Sequence, residues 1–412
     1  MLIGTREGLV CLALMVAWLV VPLIRDPRDA QDAIPLVVAG ELVVSRPEAV
    51  YVPVSGGLFD LHPDFRERSC EIMADQLDCE EFAVAFVSPP PALPIVRILS
   101  LVGPWAGALL TRMTAALAMT LGMVLLWARL APTDPRAPAV LSLAAAAVTP
   151  HTLIVTGLGQ TSAFMFAAAA MIPCLWDRPG IRRFLFVAVM VLVAVFKATP
   201  VVVLLVPLLS RRWRLLVYCA SAVLCLGVLA VVLAGGTEIM EGYRDASEAI
   251  SRQASVNPYN GSADAFAFRL LGSEEASEAL RVGTLVRFAV VAVLVLSLAR
   301  MRQESSRWAL FWSAVPLLAP LAWWHYTVAS AAAMGVALGD GRSGRKLWAW
   351  PATLSAGIPL GIANNRGYSY PEAQFLWAAA AFAVTLWLGL SAQRPRTHGG
   401  ASGESREKST EG

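Results

Sequence analysis

Apolar stretches long enough to enter or cross a bilayer recur along nearly the whole chain, and they limit the fold more than any other feature. They run roughly over 8–24, 104–130, 138–156, 160–176, 183–197, 199–210, 214–234, 283–299, 308–322, 325–339, 347–363 and 373–391. A helix crossing the hydrocarbon core needs about 20 residues. Twelve stretches therefore predict an all-helical integral membrane protein with about twelve spans (10–13), the shorter ones little tilted, broken or extended into polar flanks. With 57% apolar and only 15% charged residues, the composition excludes an ordinary cytosolic enzyme. The net charge is +3, and Lys and Arg are dispersed rather than gathered on one face, so nucleic acid is not an expected partner.

The cationic residues also give a direction, because Lys and Arg near span ends stay on the cytoplasmic side. The first stretch lacks a small-x-small cleavage site before Arg25-Asp26-Pro27 and reads as an uncleaved span. With the amino terminus inside, Arg129/Arg136, Arg178/Arg182/Arg183, Arg211/Arg212/Arg214, Arg300/Arg302/Arg307 and Arg342/Arg345/Lys346 all fall in cytoplasmic connections. Among the alternate short connections only Lys197 and Arg366 intrude. The chain is thus expected to divide into a first span (1–24), an extracytoplasmic loop with interfacial helices (25–103), a transmembrane bundle (104–234), a second extracytoplasmic loop (235–282) and a second bundle (283–391). A small, polar tail (392–412) has too little apolar surface to order itself and reads as a disordered cytoplasmic end.

Four of the six cysteines, Cys11, Cys174, Cys219 and Cys225, lie in apolar runs and read as small buried hydrophobes. Cys70 and Cys79 lie in a polar, acidic stretch, where they could close a disulfide on an oxidising face or stay free. Zinc is disfavoured, since no second Cys or His pair stands at ligand spacing.

Polar residues at membrane depth are costly and need a reason. Lys197 ends an apolar run on the face opposite the other cations, which suits holding an anion such as a lipid phosphate better than snorkelling. Gly159-Gln160-Thr161-Ser162 opens the following run with a polar cluster, as a ligand-facing helix start or as an ordinary cap. In Ala319-Pro320-Leu321-Ala322-Trp323-Trp324-His325-Tyr326 the aromatics form an interfacial belt by default, but His325 can donate to a phosphate or move a proton. His151, after Pro150, could line the same cavity. Asp26, Asp29 and Asp32 open the first polar segment, and Asp32 precedes an apolar stretch, 33–44, that reads as an interfacial helix. A carboxylate fixed there can take a proton from a hydroxyl nucleophile, with Asp29 the alternative base. No G-x-G-x-x-G, Walker A or G-x-S-x-G motif stands in a suitable setting.

In these residues the chain resembles glycosyltransferase family 87, integral-membrane enzymes of the GT-C class that use polyprenyl-phosphate sugars. Asp32 with Ala39-Gly40 and Tyr51 is similar to the family's opening pattern. Val87-Ser88-Pro89-Pro90-Pro91 with Leu93 resembles its proline-bearing approach to the second span. Gly159-Gln160, Lys197 with Pro200, Arg211-Arg212-Trp213-Arg214 and the tryptophan–histidine cluster follow in the family's order. The likeness runs from about residue 29 to 326, with Ala33, Ile34 and Pro35 standing where aromatics usually follow the aspartate.

The resemblance implies a GT-C-like multi-span bundle that transfers mannose or arabinofuranose from a polyprenyl-phosphate donor to a glycolipid or cell-envelope glycan outside the membrane. It implies Asp32 as general base, Lys197 and His325 as ligands of the donor phosphate, and Gln160, Asn257, Tyr259 and Asn260 as sugar- or acceptor-binding residues. No metal or other cofactor is required, because fixed cations can neutralise a phosphate leaving group, and a single inverting displacement is expected. Two other readings are a lipid-linked sugar flippase or transporter, which should distribute polar groups through the bilayer, and a non-catalytic partner in envelope assembly.

Overall fold

A computed structural model describes residues 5–26, 30–51, 61–73, 85–132, 135–176, 179–197, 199–253, 260–271, 276–320, 322–340, 350–351, 353–354 and 371–391. Among them the regular structure is entirely helical. The α-helices are α1 (Arg6–Ile24), α2 (Ile34–Ser45), α3 (Pro63–Met73), α4 (Leu93–Leu101), α5 (Pro104–Leu130), α6 (Ala137–Leu158), α7 (Ala163–Leu175) and α8 (Ile181–Phe196), followed by α9 (Leu205–Leu209), α10 (Trp213–Ala234), α11 (Glu238–Gln253), α12 (Ala263–Leu271), α13 (Ala276–Arg300), α14 (Glu304–Leu318), α15 (Thr327–Asp340) and α16 (Pro371–Ser391).

Among the described residues, six helices are long and apolar enough to cross a membrane: α1, α5, α6, α10, α13 and α16. Those on the outside expose side chains suited to lipid, such as Val217, Leu224, Val228 and Val232 on α10 and Leu285, Phe288 and Leu296 on α13. The shorter α7, α14 and α15 fall where spans are expected but are largely buried in the bundle, where Trp308, Phe311 and Trp312 of α14 are fully buried. α14 pairs with α15, and α16 packs on both.

The stretch at 199–210 departs from the expected span. It forms a 3-10 turn (Thr199–Leu204) and the five-residue α9 instead of one helix. Pro200 and Pro207 each remove a backbone donor within this short stretch. The expected span at 347–363 and the tail at 392–412 lie largely or wholly outside the described residues.

The first polar segment holds more structure than a loop. α2 is buried on nearly every side, chiefly against α4, and with α3 and the ends of α8 and α10 it forms a second core. Gly40 permits this closeness: a methyl group on it would lie 2.2 Å from the Val96 carbonyl oxygen. α2 is therefore covered by protein on nearly every side. α3 carries Cys70, which is disulfide-bonded; Cys79, its expected partner, lies outside the described residues. The two polar segments meet where the Tyr51 and Tyr243 rings pack edge-on at 5.3 Å.

Candidate active site

Asp32 sits in the turn that leads into α2. Its backbone N–H donates to the Leu158 carbonyl at 3.1 Å, while Ala33 and Ile34 donate back to Ala30. The link to α6 depends on a glycine. Gly159 ends α6 in the left-handed region (φ 74°), and its N–H and that of Gln160 satisfy the Thr156 and Val155 carbonyls. A side chain at Gly159 would put Cβ 2.6 Å from that of Ala33. The chain thus reverses and places Gln160 beside Asp32, to whose carboxylate its side chain donates a hydrogen bond.

Gly159→Ala is expected to strain both the backbone and this contact. We predict a stability loss of about 1–3 kcal/mol, read as a lower Tm in detergent, together with weakened transferase activity. Unchanged Tm and activity would mean that the turn does not hold Asp32.

Lys197 caps α8 in extended conformation, its N–H closing on Val193. Phe164, in the first turn of α7, packs on Phe196 with ring centroids 6.0 Å apart. That contact brings Lys197 to the end of the bundle occupied by Gln160. Its ammonium lies over the Tyr326 ring, 5.2 Å from the centroid, and within electrostatic range of Asp32. A relay fixes it from the other side, since the Tyr51 hydroxyl donates to the Ser88 carbonyl (2.6 Å) and the Ser88 hydroxyl to the Phe196 carbonyl (3.3 Å).

His325 is 4% exposed and stands in the 3-10 turn Trp324–Tyr326, its ring parallel to that of Trp323 at 6.2 Å and tilted against Tyr326 at 5.5 Å. It is in electrostatic contact with Lys197 and with His151, whose Nε2 lies 3.5 Å from the Thr327 hydroxyl. Asp32, Gln160, Lys197 and His325, read separately from the sequence, are therefore brought together, and His151 joins them.

Burial raises the Asp32 carboxyl from 3.8 to about 6; the Gln160 hydrogen bond and the Lys197 charge act in the opposite direction without cancelling it. Asp32 and Lys197 both lie deep in the protein, and both retain some accessible surface. A base poised near neutrality beside the Lys197 ammonium can accept a proton while an anionic group departs. Among the described residues no group of three His, Cys, Asp or Glu side chains could hold a metal.

Asn260, expected to bind sugar, commits its amide within the protein. Nδ2 donates to the Ser262 hydroxyl and the Pro320 carbonyl, and Oδ1 accepts from the N–H groups of Ser262 and Ala322. Asn257 and Tyr259 lie outside the described residues, as does Asp29.

Sequence reasoning missed Arg112. It is fully buried on α5 and donates to the carbonyls of Gly157 (2.6 Å), Asp26 (2.7 Å) and Arg25 (3.3 Å), tying the end of α1 to the end of α6 on either side of the Asp32 turn. An arginine inside the apolar run at 104–130, far from the Arg129 that marks its cytoplasmic end, was the available signal.

The family model described as glycosyltransferase family 87 matches residues 86–322. Gln160 and Lys197 lie inside that range, His325 just beyond it and Asp32 before it. No curated protein matches the chain in sequence. Among solved structures, the crystal structure of ArnT from Cupriavidus metallidurans bound to undecaprenyl phosphate is similar with a TM-score of 0.43 and 14% identity, covering 94% of this chain and 77% of that one. The family match spans more than half of the 412 residues, and the chain belongs to glycosyltransferase family 87.

Proposed function

We propose that this membrane glycosyltransferase moves a sugar, mannose or arabinofuranose, from a polyprenyl-phosphate donor to a hydroxyl of a glycolipid or cell-envelope glycan on the extracytoplasmic face. The observation that carries the reading is the convergence of one carboxylate, Asp32, with Gln160, Lys197 and His325 at the same end of the bundle. Both termini are cytoplasmic in this reading, which follows from the distribution of Lys and Arg.

In the reaction, Asp32 takes the proton of the acceptor hydroxyl as its oxygen attacks the anomeric carbon. The new glycosidic bond forms on the face opposite the leaving group while the bond from the anomeric carbon to the phosphate oxygen breaks, so the configuration inverts. Lys197 and His325 offset the charge that grows on the departing polyprenyl phosphate, and Gln160 orients Asp32 and a sugar hydroxyl. Family membership favours this over a flippase or a non-catalytic partner, because a glycosyltransferase site needs both a base and a phosphate neutraliser.

Purified protein in detergent, given a labelled polyprenyl-phosphate sugar and a membrane lipid extract, tests the reading through its pH profile. Asp32 must be ionised to act, and with its carboxyl raised to about 6 the kcat/KM is expected to fall about tenfold per pH unit below that value. The donor is a phosphodiester and does not titrate there. A required histidinium would give the opposite slope. Activity that is flat from pH 7 down to about 4 would remove Asp32 as the base.

A further inference from the structure

We propose that Asn260 is a positioning residue that holds the donor-phosphate histidine in place by acting as a substitute peptide group for Ala322. The inference rests on the assignment of His325 to the donor phosphate. Ala322 precedes the Trp323–Tyr326 turn, and its two backbone polar groups are both satisfied by the second polar segment. The Ala322 carbonyl accepts from the Gly261 N–H at 2.8 Å, and the Ala322 N–H donates to the Asn260 side-chain oxygen, also at 2.8 Å. Side chain and backbone together reproduce the two-bond exchange of a strand pair over a single residue. The Asn260 nitrogen adds a bond to the Pro320 carbonyl at 3.1 Å, so the same amide grips both sides of the approach to the turn.

An amide has two N–H donors and two acceptor sites. At Asn260 all four are used within the protein, and the residue is 0% exposed. It therefore has no capacity left for a sugar hydroxyl. The grip also extends outwards. The Asn260 carbonyl accepts from Arg269 on α12 (3.3 Å), and Arg269 pairs with Glu372 on α16 (3.3 Å). Beyond Ala322, the Trp323 carbonyl closes the turn by accepting from Tyr326, and the Trp323 ring stacks parallel to His325. A shift of Ala322 would thus move the stacking partner and the backbone of the histidine together. Asparagine suits this position better than aspartate, because the carbonyl of Pro320 requires a donor opposite it.

The test is equilibrium binding of undecaprenyl phosphate, which carries no sugar, to the full-length protein in detergent micelles, with Tm measured on each sample. Asn260→Ala is expected to weaken this binding about tenfold, since a buried peptide N–H loses its partner beside the site. Ser262→Ala removes contacts within the segment but leaves Ala322 pinned, and should bind within about twofold of wild type. Asn260→Asp keeps both acceptor contacts and sets an oxygen against the Pro320 carbonyl; it should fall between the two, and it carries the test if Asn260→Ala does not fold. Three results would overturn the proposal. They are undiminished binding of the sugar-free lipid by the Asn260 variants with loss confined to the glycosylated donor, equal losses in Ser262→Ala and the Asn260 variants, and wild-type affinity in Asn260→Asp. Wild-type protein that fails to bind undecaprenyl phosphate at all would instead overturn the donor assignment on which the inference rests.

Discussion

Asp32→Asn is expected to reduce sugar transfer by at least about 10²–10⁴-fold, the usual contribution of a positioned general base, and at the same time to make the protein more stable. The two effects have one cause. The carboxyl is raised from 3.8 to about 6 because burial penalises its charge more than Gln160 and Lys197 repay. Between those values the folded state holds a proton that the unfolded chain has lost, so stability falls as pH rises through that window, and the full penalty is present above about 6. Raising the carboxyl from 3.8 to about 6 corresponds to about 3 kcal/mol at most. Asparagine keeps the size of the side chain and one oxygen to accept from Gln160, without the charge. The Tm of the variant should therefore exceed that of the wild type at pH 7, and the difference should vanish near pH 4 and below. Transfer assays and thermal unfolding in the same detergent check both halves. An inactive variant with an unchanged or lower Tm at pH 7 would mean that Asp32 is held by favourable contacts and is not kept charged at a cost in stability. A variant as active as wild type would remove Asp32 from the chemistry.

The elements most legible in the sequence were those set by short-range patterning. The six long helices α1, α5, α6, α10, α13 and α16 lie where the apolar runs place them. The break at 199–210 was legible in principle, since Pro200 and Pro207 both stand in that run, but hydropathy alone treats proline as a neutral member of an apolar stretch. Asp32, Gln160, Lys197 and His325 could be found because each is a polar residue at the end of an apolar run, where its cost demands a purpose. Their convergence could not be found that way. It depends on the left-handed turn at Gly159, on the Phe164–Phe196 contact and on the Tyr51–Ser88–Phe196 relay, each of which joins segments distant in sequence or needs a backbone angle. Asn260 illustrates the same limit. Its residue type and position in a polar segment suit sugar binding, and neither foretells the bonds its amide makes to Pro320 and Ala322.

Lys197→Gln separates a phosphate ligand from a cation placed only to meet the membrane surface. Glutamine retains much of the length of the side chain and the ability to donate hydrogen bonds, but it carries no charge. If Lys197 offsets charge on the departing phosphate, its loss should lower transfer about 10²–10³-fold, as for other single groups that stabilise developing charge. Because that charge is already present on the donor diester in part and grows as the bond breaks, kcat should fall along with donor affinity. A second consequence follows from Asp32. The lysine charge is one of the two influences that hold the Asp32 carboxyl down towards ionisation. Without it the carboxyl rises further above about 6, and the acid limb of the residual activity should move to higher pH. A lysine that merely snorkels would leave transfer rate, donor affinity and acid limb unchanged. A loss of donor affinity with an unmoved acid limb would place Lys197 on the phosphate but out of electrostatic reach of Asp32. The two shifts together require one pocket in which the cation that meets the leaving group also tunes the base.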